Sequence, residues 1–188
     1  MGLRRTSMPA IEPVSLAEAK LHLRVDHDDE DTLIGALITA ARMDCEERLQ
    51  RSLITSGWEW TLDAFRDLGY VPRPPLVSVT SLKYVDAAGT QQTLDPSAYR
   101  VDAAGDQPGR LEPVAGQWPF AQDRLNSVTV AYQAGYGAAA TDVPGPIRQW
   151  ILLAIGDMFA NRERSSDRPA VGQDFADGLL DPFRVWVL

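Results

Sequence analysis

The chain has 188 residues, of which 45% are hydrophobic and 23% are charged, and its formal net charge is −8. This length suits one globular domain, or one domain with an insertion. The negative charge argues against broad binding to a nucleic-acid backbone, which requires clustered Lys and Arg. A local basic patch at Arg162, Arg164 and Arg168 stays open, although a solvated helix end is the favoured explanation of these residues.

Cys45 is the single cysteine, so the chain cannot form an intrachain disulfide, and a zinc site with cysteine ligands is not expected. Its place in a helical pattern predicts a small buried side chain. No apolar run follows Arg4 and Arg5, and the apolar block at 150–155 is too short to span a bilayer. We therefore expect no secretory signal, no membrane contact and assembly in the cytoplasm.

Two helices are predicted after a loose N-terminal arm of residues 1–12. Ser15 and Glu18 have the spacing of a capping box, in which a hydroxyl and a carboxylate satisfy backbone amides at a helix start. The first helix is therefore expected over residues 15–24. The second is expected over residues 29–51, where an acidic run suits the positive end of the helix dipole. That run is Asp28, Asp29, Glu30 and Asp31.

The second helix has one apolar stripe, because its apolar residues recur at three- and four-residue steps. The stripe consists of Leu33, Ile34, Leu37, Ile38, Ala41, Cys45 and Leu49. Polar residues fill the opposite face, namely Arg42, Glu46, Glu47, Arg48 and Gln50.

The period of the apolar residues then falls to two, as a half-buried strand requires. Trp58, Trp60 and Leu62 give the first example. Further strands are predicted at 76–85, 91–94, 99–102, 110–113 and 126–132. Short strands with regular turns indicate a small antiparallel sheet or partial barrel inserted between helices.

A third helix is predicted from Pro146, and its apolar stripe should pack on the second helix. The stripe consists of Ile147, Trp150, Ile151, Ala154, Ile155, Met158 and Phe159. The fold class is thus α+β, with a core of about three helices, the inserted sheet and an extended C-terminal tail. We assign one domain to residues 1–188, with a helical core at 14–53 and 144–163, an insertion at 57–133 and a tail at 165–188.

Two segments resemble ligand-binding motifs, one for a dinucleotide and one for calcium, but the residues around them do not fit such sites. The glycines at 135 and 137 match a dinucleotide fingerprint, but residues 143–146 separate them from the helix, so its amides cannot hold a pyrophosphate. Residues 26–31 lack the central glycine of a calcium loop, and Leu37 occupies the position of its closing Glu. We expect no catalytic residues, no cofactor and no metal.

The tryptophans allow both core and interface interpretations. Trp58, Trp60 and Trp150 fit core packing, whereas Trp118 lies in an apparent loop and fits either. Trp186 lies in an apolar ending that needs cover from the chain's own core or from a neighbour. For Trp186 a contact with a partner is favoured.

In order and spacing, several segments resemble the head-tail connector (adaptor) proteins of long-tailed phages and gene-transfer particles. They are SLAEAKLHLR at 15–24, DDED at 28–31, PPLVSVTSLKY at 74–84, Trp118-Pro119, residues 126–132, AGYG at 134–137, and LLDPFR at 179–184. The resemblance covers residues 14–184. It implies a ring of twelve copies under the portal protein, with helices around the DNA channel and the sheet toward the periphery.

The resemblance also implies a tail or stopper protein as a second partner, and DNA that slides through the channel without sequence-specific binding. The channel-facing candidates are Asp28, Asp29, Glu30 and Asp31, and the partner-binding candidates are Leu179, Leu180, Phe183, Arg184 and Trp186. Deletion of residues 179–188 is expected to leave a folded monomer that no longer joins the portal. The alternatives are a tail terminator or stopper protein and a small phage-encoded hydrolase.

Overall fold

A computed structural model describes residues 1–161 and 174–185. It divides the chain into two compact units. The sheet unit consists of residues 1–10 and 55–136, and the helical unit consists of residues 11–54 and 137–188. The assignment of all 188 residues to one domain stays a prediction.

The helical unit contains α1 (Leu16–Leu23), α2 (Asp31–Leu49), α3 (Gly145–Ala160) and the short α4 (Asp174–Gly178), which was not predicted. The predicted capping box is present. The backbone N–H of Glu18 donates to Ser15 Oγ at 3.2 Å, and the N–H of Ser15 donates to Glu18 Oε2 at 2.9 Å.

Helix α2 packs on α3, as predicted, and α1 contacts both. The buried apolar residues of the two longer helices are Ile34, Ile38, Ala41, Cys45, Leu49, Ile147, Trp150, Ile151 and Ile155. Burial also raises the pKa of the Cys45 thiol, which agrees with its predicted core position. Leu33 departs from the predicted stripe, because it is exposed at the edge of the α2 contact with the core.

The sheet unit contains a five-stranded antiparallel sheet of order β1-β2-β7-β3-β4. Its strands are β1 (Gly2–Ser7), β2 (Ser56–Leu62), β3 (Leu76–Val85), β4 (Gln91–Thr93) and β7 (Val128–Ala134). A separate pair is formed by β5 (Tyr99–Asp102) and β6 (Arg110–Pro113). These strands confirm the predicted α+β class and the predicted sheet segments.

The prediction of a loose N-terminal arm is wrong for β1. Residues Gly2 to Ser7 pair with β2 as an edge strand, and Arg4 Nε donates to Glu59 Oε1 at 2.8 Å. Both faces of this strand are largely exposed, so its sequence lacks the alternation that identifies a half-buried strand.

The core of the sheet unit is rich in aromatic residues. Trp58 and Trp60 on β2 are buried, as predicted, together with Tyr132 on the central strand β7. Trp118, for which the sequence left two interpretations, is partly buried and stacks on Phe65 with a centroid distance of 5.0 Å. The loop that contains Trp118 is therefore attached to the core of its own unit.

Candidate interaction surfaces

The glycine-rich loop after β7 has a packing role. A Cβ at Gly137 would clash with the Asp142 carboxylate, and Asp142 Oδ2 accepts the backbone N–H of Ala139 at 2.9 Å. Asp142 thus closes the loop on itself, and only glycine fits at position 137. Within residues 1–161 and 174–185, no three His, Cys, Asp or Glu side chains are grouped to hold a metal ion, and no helix is long and apolar enough to cross a membrane.

A buried ion network corrects the prediction for the polar face of α2. Arg42 and Glu46 are only 3% and 4% exposed. Arg42 Nη1 donates to Glu46 Oε2 at 2.9 Å, and Arg42 Nε donates to Glu12 Oε2 at 2.6 Å. Glu46 Oε1 also accepts the backbone N–H of Leu53 at 3.0 Å. Burial is tolerated because each charge has an opposite charge or a backbone donor beside it.

This network fastens the chain on both sides of α2. Glu12 precedes α1, and Thr39 Oγ1 donates to Glu12 Oε1 at 3.0 Å. Leu53 follows α2 and is itself fully buried. The amphipathic pattern alone could not reveal this arrangement, since its partners come from residues far apart in the sequence.

The acidic elbow, residues 26–31, connects α1 to α2 and is partly neutralised. Lys20 Nζ lies 2.6 Å from Asp28 Oδ1 and 2.7 Å from Asp31 Oδ1. The hydrogen bond from Lys20, and then its positive charge, lower the pKa of the Asp28 carboxyl. One lysine thus bridges both ends of the acidic run, and the sequence pattern did not single out this residue.

The two central acids of the elbow differ in role. The side chain of Asp29 is 94% exposed, and its Oδ2 lies 3.7 Å from His27 Nδ1. Glu30 is the N-cap residue of α2 but makes no side-chain capping bond. The elbow therefore presents Asp28 and Asp29 to solvent, whereas Asp31 is half-buried.

The C-terminal segment, residues 174–185, is fastened to the end of α2. Val185 donates its backbone N–H to the carbonyl of Leu49 at 3.1 Å, and the guanidinium of the buried Arg51 donates to the carbonyl of Phe183. Trp150 Nε1 donates to Asp177 Oδ1 at 3.3 Å.

These contacts bear on the partner-binding candidates. Leu180 is fully buried, so its apolar side chain finds cover in its own chain, and this burial disfavours the predicted partner contact. Leu179, Phe183 and Arg184 are half-buried. Trp186 lies outside the described residues. Partner binding by these residues stays a prediction.

The two units differ strongly in charge. The helical unit contains 17 acidic and 10 basic residues and has a formal net charge of −7. The sheet unit contains 9 acidic and 8 basic residues and has a net charge of −1. Nearly all of the net charge of the chain therefore belongs to the unit that contains the acidic elbow.

Comparison with known proteins gives consistent matches. The family model of the phage gp6-like head-tail connector protein matches residues 13–85, which include α1, α2, β2 and β3. A chain in the virion of a native gene transfer agent particle has 26% sequence identity and a TM-score of 0.82, and the match covers 100% of this chain and 98% of that one. A comparison with curated proteins finds no match.

Two further solved structures contain similar chains. In the neck of an empty gene transfer agent particle, computed with C6 symmetry, the identity is 25% and the TM-score 0.82. In the neck of the native particle, computed with C12 symmetry, the identity is 25% and the TM-score 0.79. Both matches again cover 100% of this chain and 98% of the other chain.

Proposed function

We propose that this chain is a head-tail connector protein and forms one segment of a ring in the neck of a phage-like or gene-transfer particle. The observation that carries this proposal is the whole-length match to neck chains, whose solved structures have sixfold and twelvefold symmetry. The match covers both units and extends beyond residues 13–85, which the family model matches. The function is therefore structural and depends on the surfaces of the chain.

The ring role is tested in particles. In a producing strain, deletion of the gene should yield filled capsids without tails, and the wild-type gene supplied in trans should restore complete particles. Mass spectrometry of purified particles should find about twelve copies of the chain. Complete, tailed particles that lack the chain would contradict the proposal.

The proposed ring lies under a portal protein and continues the DNA channel. The charge of the helical unit supports placing that unit toward the channel, because a negative wall repels phosphates and lets DNA slide. In this arrangement Asp28 and Asp29 of the acidic elbow face the lumen.

A charge reversal in the elbow tests this orientation. Asp29→Lys places a cation on an exposed position without removing the Lys20 bridge. Particles with this variant should release DNA more slowly than wild-type particles, and the difference should shrink at high salt. Asp123→Lys, which changes an exposed acid of the sheet unit, is the matched control. Equal release from both variants would place the elbow away from the channel.

The C-terminal ending is the proposed contact with the portal or a neighbouring subunit. Removal of residues 179–188 is not a clean test, because it also removes the buried Leu180 and the bond from Val185 to Leu49. Removal of residues 186–188 keeps all of these contacts. The shorter truncation should fold with an unchanged unfolding midpoint and fail to bind purified portal protein. Normal portal binding would reject Trp186 as a contact.

The docking partner on the other side of the ring is a tail or stopper protein, and assembly takes place in the host cytoplasm. A tail terminator or a stopper is the alternative structural role. Binding to purified portal protein would favour the connector, whereas binding to tail protein alone would favour the terminator or stopper. The neck matches support a structural protein rather than the hydrolase alternative. Lytic activity of the purified chain would instead support the hydrolase alternative.

A further inference from the structure

Helix α2 has a side that is exposed but carries no charge. The α2 outer face consists of Leu33, Ala36, Ala40 and Met43, which recur at three- and four-residue steps and so lie on one side of the helix. All four are exposed, Leu33 by 37% and Met43 by 55%. The only charged side chain between Thr32 and Met43 is Arg42, which is buried.

Charged residues bound this face at both ends. The exposed Asp29 precedes it, and Asp44 and Glu47 follow it on the same side of the helix, with Arg48 Nε 3.0 Å from Asp44 Oδ2. An uncharged centre with a charged rim is the composition of a protein–protein interface. A surface without Lys or Arg offers nothing to DNA phosphates.

The charge of the helical unit limits which surfaces two copies can bring together. Each copy has a net charge of −7 in this unit, so two units placed side by side repel each other through their acidic surfaces. Contact through the α2 outer face keeps the rim acids at the edge in solvent, where salt screens them. In a closed ring every copy has such neighbours on two sides.

We infer that the α2 outer face is a subunit interface that packs against the neighbouring copy of this chain. The inference rests on the proposed ring function. Beyond that function, the inference names a second copy of this chain as the partner of the α2 outer face. It also places this subunit interface on the helical unit. Two alanines in the centre allow a close approach, and Leu33 and Met43 supply the apolar area.

A photo-crosslinking methionine analogue at position 43 tests this contact in assembled particles. The expected product joins the Met43 peptide to a peptide of a second copy of the same chain. A crosslink from position 43 to a different neck protein, or no crosslink in complete necks, would overturn the inference. Absence of the chain from complete particles would instead overturn the proposed function.

A charged side chain introduced into the α2 outer face gives a second test, which measures the number of copies of the chain per particle. Ala40→Arg is compared with Ala17→Arg, which changes an exposed alanine on α1. Both variants should unfold at the wild-type urea concentration, because both positions are exposed and arginine is a good helix former. Ala40→Arg should lower the number of copies per particle at least about tenfold, since a charge placed in an uncharged interface must lose its water without meeting an opposite charge on the neighbouring copy. Equal incorporation of both variants would overturn the inference.

Discussion

The two units of this chain differ in how their cores are stabilised and in their net charge. The helical unit has an aliphatic core, a buried ion network and a net charge of −7, whereas the sheet unit has an aromatic core and a net charge of −1. Aromatic packing stabilises the core of the sheet unit without fixed charges. The acidity of the chain is therefore a property of one unit, which agrees with the proposed placement of that unit toward the channel.

The largest effect is expected where the helical unit buries charge. Arg42→Ala leaves Glu46 without its buried partner and should lower the free energy of unfolding by about 3–5 kcal/mol. Arg4→Ala, which breaks an exposed ion pair with Glu59 in the sheet unit, should have little effect. Urea unfolding of the full chain measures the free energy of unfolding of both variants. Equal decreases would contradict the difference between the two units.

The next effect concerns the C-terminal segment. Leu180→Ala should lower the free energy of unfolding by about 2–5 kcal/mol, because it leaves a cavity at a fully buried position. Leu179→Ala is the matched control at a half-buried position and should cost clearly less. If the two variants have the same unfolding midpoint, the segment is not docked on its own unit as described.

A third effect depends on pH. Ser15→Ala removes the capping hydroxyl of α1 and should cost about 0.5–2 kcal/mol at neutral pH. Hydrogen bonds from the backbone and side chain of Ser15, and then the charge of Arg148, lower the pKa of Glu18. The resulting stabilisation is complete above the ordinary value of 4.5 and is lost as the pH falls through the lower pKa of the folded chain.

The variant should therefore show a weaker loss of stability than the wild-type chain between about pH 5 and pH 3. Urea unfolding midpoints measured across this range give the two slopes. Parallel curves would show that the capping box does not couple Glu18 to the stability of the helical unit.

The smallest effect lies in the sheet unit. Trp118→Leu removes the stack on Phe65 and should cost about 0.5–1.5 kcal/mol beyond the loss of buried area. Phe120→Leu changes a neighbouring side chain that is 71% exposed and should leave the unfolding midpoint unchanged. A larger loss from Phe120→Leu would mean that the loop packs differently on the sheet.

The sequence predicted those elements whose residues follow one clear period. The α2–α3 pair and the strands at 76–85, 99–102 and 110–113 follow the helical or strand pattern, and the capping box is a local motif. Edge strand β1 escaped prediction because both of its faces are exposed. The order of the strands could not be predicted either, since β1, β2 and β7 meet through pairing between distant parts of the chain.

The candidate surfaces were predictable only in part. The acidic run was visible in the sequence, but the bridging role of Lys20 requires the return of α2 beside α1. Burial of Leu180 likewise depends on residues 174–185 meeting the end of α2. The burial of Arg42 and Glu46 was not predicted, because hydrophobic periodicity places charged residues in solvent and cannot detect that two charges neutralise each other.

A symmetric electron cryomicroscopy reconstruction of the neck tests the central claim most directly. The account predicts a ring of about twelve copies of this chain between capsid and tail, with the acidic elbow facing the channel. A complete neck without this chain, or a single copy beside the channel, would contradict it.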